Sequence, residues 1–419
     1  MPDRKPDGGA QGVGGGPPGP GPGVGGVRRA LRGGVRRAAA VSAAPGQVDV
    51  AIVGAGVVGL ACAAALSRAG RRVVVLERRE AIAREVTSRS SQVIHAGLYY
   101  APGSLKAELC TRGRELLYAR CAERRVPHRR LGKLVVAAAL DEIPALEQLA
   151  SNARRNGVSD LQVLDAAQVR RLEPDVRVEA ALWSPHTGIL DAHALALDFL
   201  AEAESLGAQL VCRAEVTGIE PAAAGLCVTL LDADGAAATL RCAGVVNAAG
   251  LDADRVAACA GLDPDARGWR VRPCKGDYFA LAPGAPLRLA HLVYPLPAGE
   301  GALGIHATLD LGGRIRFGPD AEYIDDVHYR IDAAKADAFA RAVRRYLPGV
   351  RGEWLSPDQA GVRPRLTAPG EAPRDFVVEE ASQAGVPGLV NLVGIESPGL
   401  TAAPAIAERV VALLAGLNP

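Results

Sequence analysis

Lysine is scarce in this chain: only five of its 48 basic side chains are Lys, and the rest are Arg. With Ala and Gly abundant, that scarcity reads as a coding bias before it reads as function. Acids nearly balance bases, 46 against 48, for a net charge of +2. No strongly basic face is implied, so nucleic acid is not an indicated partner. Cys-x-x-Cys is absent. The eight Cys, at 62, 110, 121, 212, 227, 242, 259 and 274, follow no metal-type spacing, and no metal site is expected. Most sit in apolar segments, where a free thiol acts as a small hydrophobe, which favours a reducing compartment. No apolar run approaches the roughly 18 residues needed to span a bilayer, so any membrane contact would be peripheral. A Ser nucleophile elbow and a Gly-Lys-Ser/Thr phosphate loop are also missing. The chemistry is therefore assigned to a cofactor that the protein orients and polarises.

What is present describes a globular chain: 419 residues, 49% hydrophobic and 22% charged, enough for a large core split over two domains. The first 47 residues differ. Gly and Pro dominate positions 8 to 26, and such a segment cannot bury enough apolar area to fold. The stretch from Val27 to Ser42 is Arg-rich and without acids, in the manner of an organellar presequence. Asp3 and Asp7 sit where such a helix should begin and argue against it. Residues 1–47 are expected to be a disordered extension on a cytoplasmic bacterial protein, with a mitochondrial presequence as the alternative.

The strongest local signal lies just beyond. Val48 to Val53 is an apolar run of strand length, and it meets Gly54-x-Gly56-x-x-Gly59. An Ala-rich helical segment runs to Gly70, and a second apolar strand ends at Glu77. Gly54 permits the tight turn, Gly56 lets a pyrophosphate approach the backbone, and Gly59 lets helix and strand pack closely. Glu77 is placed to accept hydrogen bonds from an adenosine ribose. A glycine triplet alone would suit an ordinary βα turn; the two strands, helix and acid in order predict a dinucleotide site.

Further helices are expected from Ser104 to Arg124, Asp141 to Asn156, Asp191 to Leu206 and Asp332 to Leu347. Gln209–Ala214, Cys227–Leu231 and Ala237–Cys242 read as a small antiparallel meander, with an Asp-Gly turn at 234–235. Gly244–Gly250 and Gly388–Gly394 read as buried parallel strands running into glycine. Parallel strands so far apart imply an interleaved α/β architecture. The expected fold is a Rossmann-like FAD-binding domain from 48–124, 191–261 and 352–419, with an inserted antiparallel-sheet substrate domain from 125–190 and 262–351. A plain NAD dehydrogenase would complete its nucleotide domain contiguously, which is a first reason to prefer FAD.

Three side chains are candidates for chemistry. Oxidation of a 2-hydroxy acid removes the hydroxyl proton as hydride leaves the α-carbon, and a neutral imidazole suits that task. His306 would project from a strand of the inserted domain, and His95 follows the loop after the second nucleotide strand; a structural His is the alternative for each. Arg363 is expected in a loop that Pro364 stiffens and Gly361 frees to turn, where a firmly held guanidinium could clamp a carboxylate bidentately. In Ile395-Glu-Ser-Pro-Gly-Leu-Thr401, Pro398 and Gly399 leave amides exposed at a helix start, where a reduced flavin's negative charge would be favoured. An ordinary N-cap by Ser397 is the other reading.

These blocks together resemble the FAD-dependent D-amino-acid oxidase superfamily, and within it the L-2-hydroxyglutarate dehydrogenase/oxidase branch. The carriers are Val53-Gly-Ala-Gly-Val-Val-Gly, the run from Ser91 through His95-Ala-Gly-Leu-Tyr-Tyr100 to Lys106, Lys275-Gly-Asp-Tyr-Phe, Val293-Tyr-Pro-Leu-Pro, Leu303-Gly-Ile-His, Gly361-Val-Arg-Pro-Arg-Leu and Glu396-Ser-Pro-Gly-Leu-Thr. They span about 48 to 415, and the two blocks opening at His95 and Glu396 are the specific ones. Ser91-Gln-Val departs from the more usual Asn/Ser-Gly-Val. The resemblance implies non-covalent FAD held by Gly54, Gly56, Val58, Gly59, Glu77, Arg78, Ser90, Ser91, Val216, Ala249, Gly250, Ser397, Gly399, Leu400 and Thr401. It implies hydride transfer from the α-carbon of a small carboxylate substrate to the flavin, giving a 2-oxo acid. His306 would be base or orienting group, Arg363 the carboxylate anchor, and His95 a neighbour of the ring. A quinone, another carrier or oxygen would accept the electrons. Oxidation of an amino acid or amine is the alternative activity, and a flavin-binding protein without turnover the second.

Overall fold

The computed structural model describes residues 48–297 and 304–417. The expected extension, 1–47, lies outside the described residues, as does Leu303. The opening apolar run forms strand Val50–Val53, followed by helix Val57–Arg68 and parallel strand Val73–Glu77. The sheet runs in the order Val377–Glu380, Leu389–Val393, Gly244–Asn247, Val50–Val53, Val73–Glu77, Gln209–Cys212, with only the first strand antiparallel to its neighbour. Its central strands lack polar alternation because both faces are covered. Ile52, Val75, Val246 and Val390 pack on one face with Leu60, Leu195 and Ile406 of three helices. Ala51, Val53, Val74 and Val245 pack on the other, against Ile219, Val228 and Leu240 of a meander.

That meander is Glu215–Pro221, Leu226–Leu231 and Ala237–Cys242. The sequence reading placed Gln209–Ala214 in it; instead Gln209–Cys212 closes the parallel sheet beside Val73–Glu77. The reason is the break at Arg213, which has φ 58 and separates Gln209–Cys212 from the meander's first strand. Glu215–Pro221 was missed because Gly218 and Pro221 interrupt its alternation.

A second, nine-stranded sheet runs in the order Glu322–Tyr323, Arg272–Leu281, Ile315–Gly318, His306–Leu309, Leu292–Pro295, Lys133–Ala137, Ala180–Ser184, Gln162–Asp165. Leu355–Arg365 pairs antiparallel with Arg272–Leu281 along its length. The boundary expected at 352 would have put this strand with the nucleotide sheet. Ten register pairs carry it into the large sheet instead, and Arg363 lies on this strand rather than in the expected loop. Asp191 caps its helix by accepting from the amides of His193 and Ala194, and Ser104 caps the helix Leu105–Arg124 through Ala107, as their side-chain types predict.

Candidate active site

One deep cleft opens at the carboxyl ends of the parallel strands, where ligands of open α/β sheets bind. Its first wall is the glycine turn. At Gly54, φ is +105, and a Cβ would lie 2.6 Å from the Ala248 carbonyl oxygen. A Cβ on Gly59 would lie 2.1 Å from the Gly54 oxygen, so helix and turn touch directly. At Gly56 a Cβ would meet only the Thr87 hydroxyl, at 3.4 Å, which leaves open space before the backbone. Gly56 caps the helix without a side chain, and no acid occupies the first turn. A helix start with no acid in its first turn and open space before it accepts a phosphate group. The residues present therefore fit a dinucleotide. Thr87 supports the turn by accepting from the Val57 amide at 3.0 Å, a link across 30 residues that no local pattern announced.

Glu77 lines the cleft, but its carboxylate is already engaged: the two oxygens accept from the amides of Ala55 and Arg79, each at 2.8 Å. These bonds fix its orientation and leave each oxygen capacity for a hydroxyl donor. Arg78 lines the same wall and pairs with Asp252 at 2.6 Å. Val58, Ser90, Ser91, Val216, Ala249, Gly250, Ser397, Gly399 and Leu400 also face the cleft. Thr401 does not. Fully buried, its hydroxyl accepts from the His95 amide at 2.9 Å and donates to the Val93 carbonyl, tying the terminal helix Gly399–Leu413 to the loop that carries His95. Ser397 is not an N-cap: its hydroxyl lies 3.2 Å from His95 Nε2, and Pro398 occupies the cap position without a side-chain bond. Glu396, also on the wall, is held between Lys106 at 3.0 Å and Arg365 at 3.4 Å.

At the opposite end the large sheet supplies His306, Tyr294, Tyr278 and Arg363. His306 stacks on Tyr294, with ring centroids 3.6 Å apart and planes 8° from parallel. Burial pushes its imidazole well below its ordinary range, and the charges of Lys133, His95 and Arg363 push the same way. His95 is driven down to about 3, first by burial and then by Lys133. Both rings are consequently neutral near pH 7. Arg363 donates to the carbonyl oxygens of Asp320 at 2.7 Å and Lys275 at 3.4 Å, and it reaches no carboxylate among the described residues. Backbone oxygens fix the guanidinium without cancelling its charge, so the cleft contains a rigid, unneutralised cation. The structure thus brings His306, Arg363, His95, Ser397 and the glycine turn into one cleft. Sequence reasoning did not single out Tyr294 or Lys133; the latter could have been flagged as a rare Lys inside the apolar run Leu131–Ala137.

A parallel nucleotide-binding sheet beside a large mixed sheet, with the glycine turn and a neutral histidine facing one cleft, defines a flavin-dependent oxidoreductase. The family described as DAO, FAD dependent oxidoreductase, matches residues 49–413, and the chain belongs to it. Its cofactor is FAD, and it is an enzyme of that class. Among its relatives is the mitochondrial L-2-hydroxyglutarate dehydrogenase of Arabidopsis thaliana, 39% identical over 405 residues, covering 87% of this chain and 83% of the relative. The enzyme of that name from Homo sapiens is 36% identical over 290 residues, 67% of this chain and 62% of its own. Among solved structures, dithionite-reduced L-α-glycerophosphate oxidase of Mycoplasma pneumoniae with FAD bound superposes with a TM-score of 0.78 at 26% identity, covering 89% and 96% of the two chains. Glycine oxidase from Geobacillus kaustophilus shares the fold at TM-score 0.73 and 23% identity, over 89% and 95% of the chains. No helix among the described residues is long and apolar enough to cross a membrane.

Proposed function

We propose that this chain oxidises a 2-hydroxy acid to the 2-oxo acid, and that the acid is L-2-hydroxyglutarate. The observation that carries the reading is Arg363: a guanidinium fixed by backbone carbonyls, with no acid among the described residues to neutralise it, in the same cleft as a buried neutral imidazole. Such a cation is suited to a carboxylate, bound bidentately. The relatives' names supply the particular acid.

Bound FAD supplies the two-electron acceptor. Gly54, Gly56, Gly59 and Glu77 would hold its adenylate half, and Ser397, Gly399 and Leu400 would face its ring end. The chain's own work is then positioning and proton transfer. Arg363 binds the carboxylate next to the reacting carbon and fixes the hydroxyl near His306. The bound anion raises the proton affinity of that imidazole, offsetting the burial that depresses it in the free site. His306 is neutral on arrival of substrate, and it accepts the hydroxyl proton as the α-hydride departs. Tyr294, stacked on the ring, keeps it from rotating, and Ser397 and Thr401 orient His95. The proposed division of labour follows: 48–124 and 191–261 bind the cofactor together with the terminal helix, while the large sheet, including Leu355–Arg365, presents substrate.

The test is anaerobic mixing of the flavin-loaded protein with a panel of 2-hydroxy acids and amino acids, followed by visible absorbance. Bleaching by L-2-hydroxyglutarate is expected. Bleaching by amino acids alone would overturn the reading in favour of amine oxidation, and bleaching by nothing would leave a flavin-binding protein. Reoxidation rates with a quinone and with oxygen would then identify the class of electron acceptor.

A further inference from the structure

Four of the five lysines are described, and three of them reach a carboxylate: Lys106 at Glu396, Lys275 at Asp277, and Lys335 at Asp277, Asp320 and Glu322. Lys133 reaches none among the described residues. Its side chain is fully buried, and its amine has no hydrogen-bond partner among the described residues. It lies over two ring faces, 4.6 Å from the centroid of Tyr99 and 4.8 Å from that of Tyr294. Tyr294 is the ring stacked on His306, and both line the cleft. Lys133 therefore stands one aromatic ring behind the cleft wall. Two neighbours share its condition: Tyr99 Oη and His95 Nδ1 are also buried without a partner among the described residues.

A packing role does not explain this residue. Methionine would fill the same space, whereas a buried amine without an acid is costly, and cation–π contacts recover only part of that cost. The titratable groups facing Lys133 are Cys110 from the helix Leu105–Arg124, His95 and Tyr99 from the loop before it, Tyr294 from the adjacent strand, and His306 from the strand beyond. None is a carboxylate. Burial holds the amine down to about 7, with Cys110 opposing, so a small change in nearby charge decides whether it carries a proton.

We propose that Lys133 is the counter-charge for the second carboxylate of a 2-hydroxy diacid: it takes up a proton as the diacid enters the cleft, and so selects diacids over monoacids. The inference rests on the reading above, in which Arg363 holds the carboxylate beside the reacting carbon. Its balance is simple: neutral amine plus a solvent proton gives ammonium, and no substrate bond is broken. Lys133 acts across Tyr294, so it is a specificity and positioning residue rather than a group on the reacting atoms.

The experiment uses the FAD-loaded protein with glutarate, an unreactive diacid lacking the hydroxyl, and pentanoate, its monoacid counterpart. Calorimetry in two buffers of different ionisation enthalpy reads the protons taken up. With glutarate, uptake of about half a proton at pH 8 and almost none at pH 6 is expected, because Lys133 is already charged at the lower pH. Both histidines stay neutral at pH 8. In Lys133→Met, the glutarate Kd at pH 6 should rise about tenfold to thirtyfold, as expected for losing one charge at ring-thickness distance. Its pentanoate Kd should stay within about twofold. Lys133→Arg, charged at both pH values, should hold glutarate as tightly at pH 8 as at pH 6. Wild-type protein that binds glutarate at pH 8 without proton uptake overturns the proposal, whether or not the variants fold. So does Lys133→Met that keeps the diacid preference. Protein reduced by 2-hydroxy acids but failing these tests sinks the Lys133 assignment alone; protein reduced by none sinks both.

Discussion

The two ends of the cleft solve opposite problems. The dinucleotide end is built from backbone: three glycines, a helix start with no acid in its first turn, and a Glu77 whose oxygens are already committed to amides. Its parts lie within 24 residues of one another in sequence, from Gly54 to Glu77. The substrate end is built from side chains delivered by the loop at His95 and by separate strands carrying Lys133, Tyr294, His306 and Arg363. There the polar groups are left incomplete among the described residues: Arg363 has carbonyls but no acid, and the Lys133 amine has ring faces only. A cofactor site that never changes partner can be satisfied by the fold. A site that must release its product keeps charges uncompensated, and stability bears the cost.

The comparison breaks most visibly at Gly54. Valine there would need φ near +105 and would drive a Cβ to within 2.6 Å of the Ala248 carbonyl, which is backbone and cannot swing aside. Gly54→Val is expected to abolish FAD retention, measured as flavin per protein after purification. A yellow, stoichiometric Gly54→Val would mean that the turn is not the cradle.

At the other end, His306→Ala should slow anaerobic flavin reduction by about 10² or more while leaving flavin content intact, the usual cost of a lost general base. The pH profile carries a sign. Because burial lowers the proton affinity of His306 and His95, both stay neutral well below pH 6.5. With a 2-hydroxy monoacid, the acid limb of kcat/KM should therefore fall below pH 6.5, and a limb above 7 would contradict the assignment. The two histidines' contribution to stability has the same sign: it is full above about 6.5 and declines as pH falls, because the unfolded chain takes up protons that the folded site refuses.

Arg363→Met should act on binding rather than on the chemical step. The KM for a 2-hydroxy acid is expected to rise by about 30-fold to 100-fold, the scale of a lost charge-assisted pair, with reduction at saturation changed only a few-fold. Equal losses in both would move Arg363 from substrate anchor to transition-state contact.

The same contrast decided what the sequence disclosed. The cradle was legible because its demands are local: positive φ at Gly54, contact at Gly59 and an acid ending the next strand all fall within one βαβ unit. The large sheet was legible only as strands, since pairing of residue 272 with 365, or of 133 with 292, follows from no periodicity. His306 and Arg363 could be nominated from their motifs and chemical types. Lys133 was visible only as a rare Lys in an apolar run, and only the fold shows that no acid among the described residues comes to meet it. Thr401 was nominated for the cofactor, yet its hydroxyl is spent inside the protein, a distinction that needs coordinates because a buried and a cleft-facing position are neighbours on one helix turn.

Thr401 offers the mildest test of how the two ends are joined. Its hydroxyl serves the His95 amide and the Val93 carbonyl from a fully buried position, so it locks the terminal helix, on the cofactor side, to the loop that presents His95. Thr401→Val keeps the shape and removes both hydrogen bonds, leaving a buried donor and acceptor unmet, at about 1–3 kcal/mol. For a chain of this size the expected result is a melting temperature lower by a few degrees, with flavin content unchanged and reduction slowed less than in His306→Ala. Loss of flavin from Thr401→Val would instead place the hydroxyl's main role at the cofactor. An unshifted melting temperature with slowed reduction would show that the bond serves the orientation of His95 and adds nothing to stability.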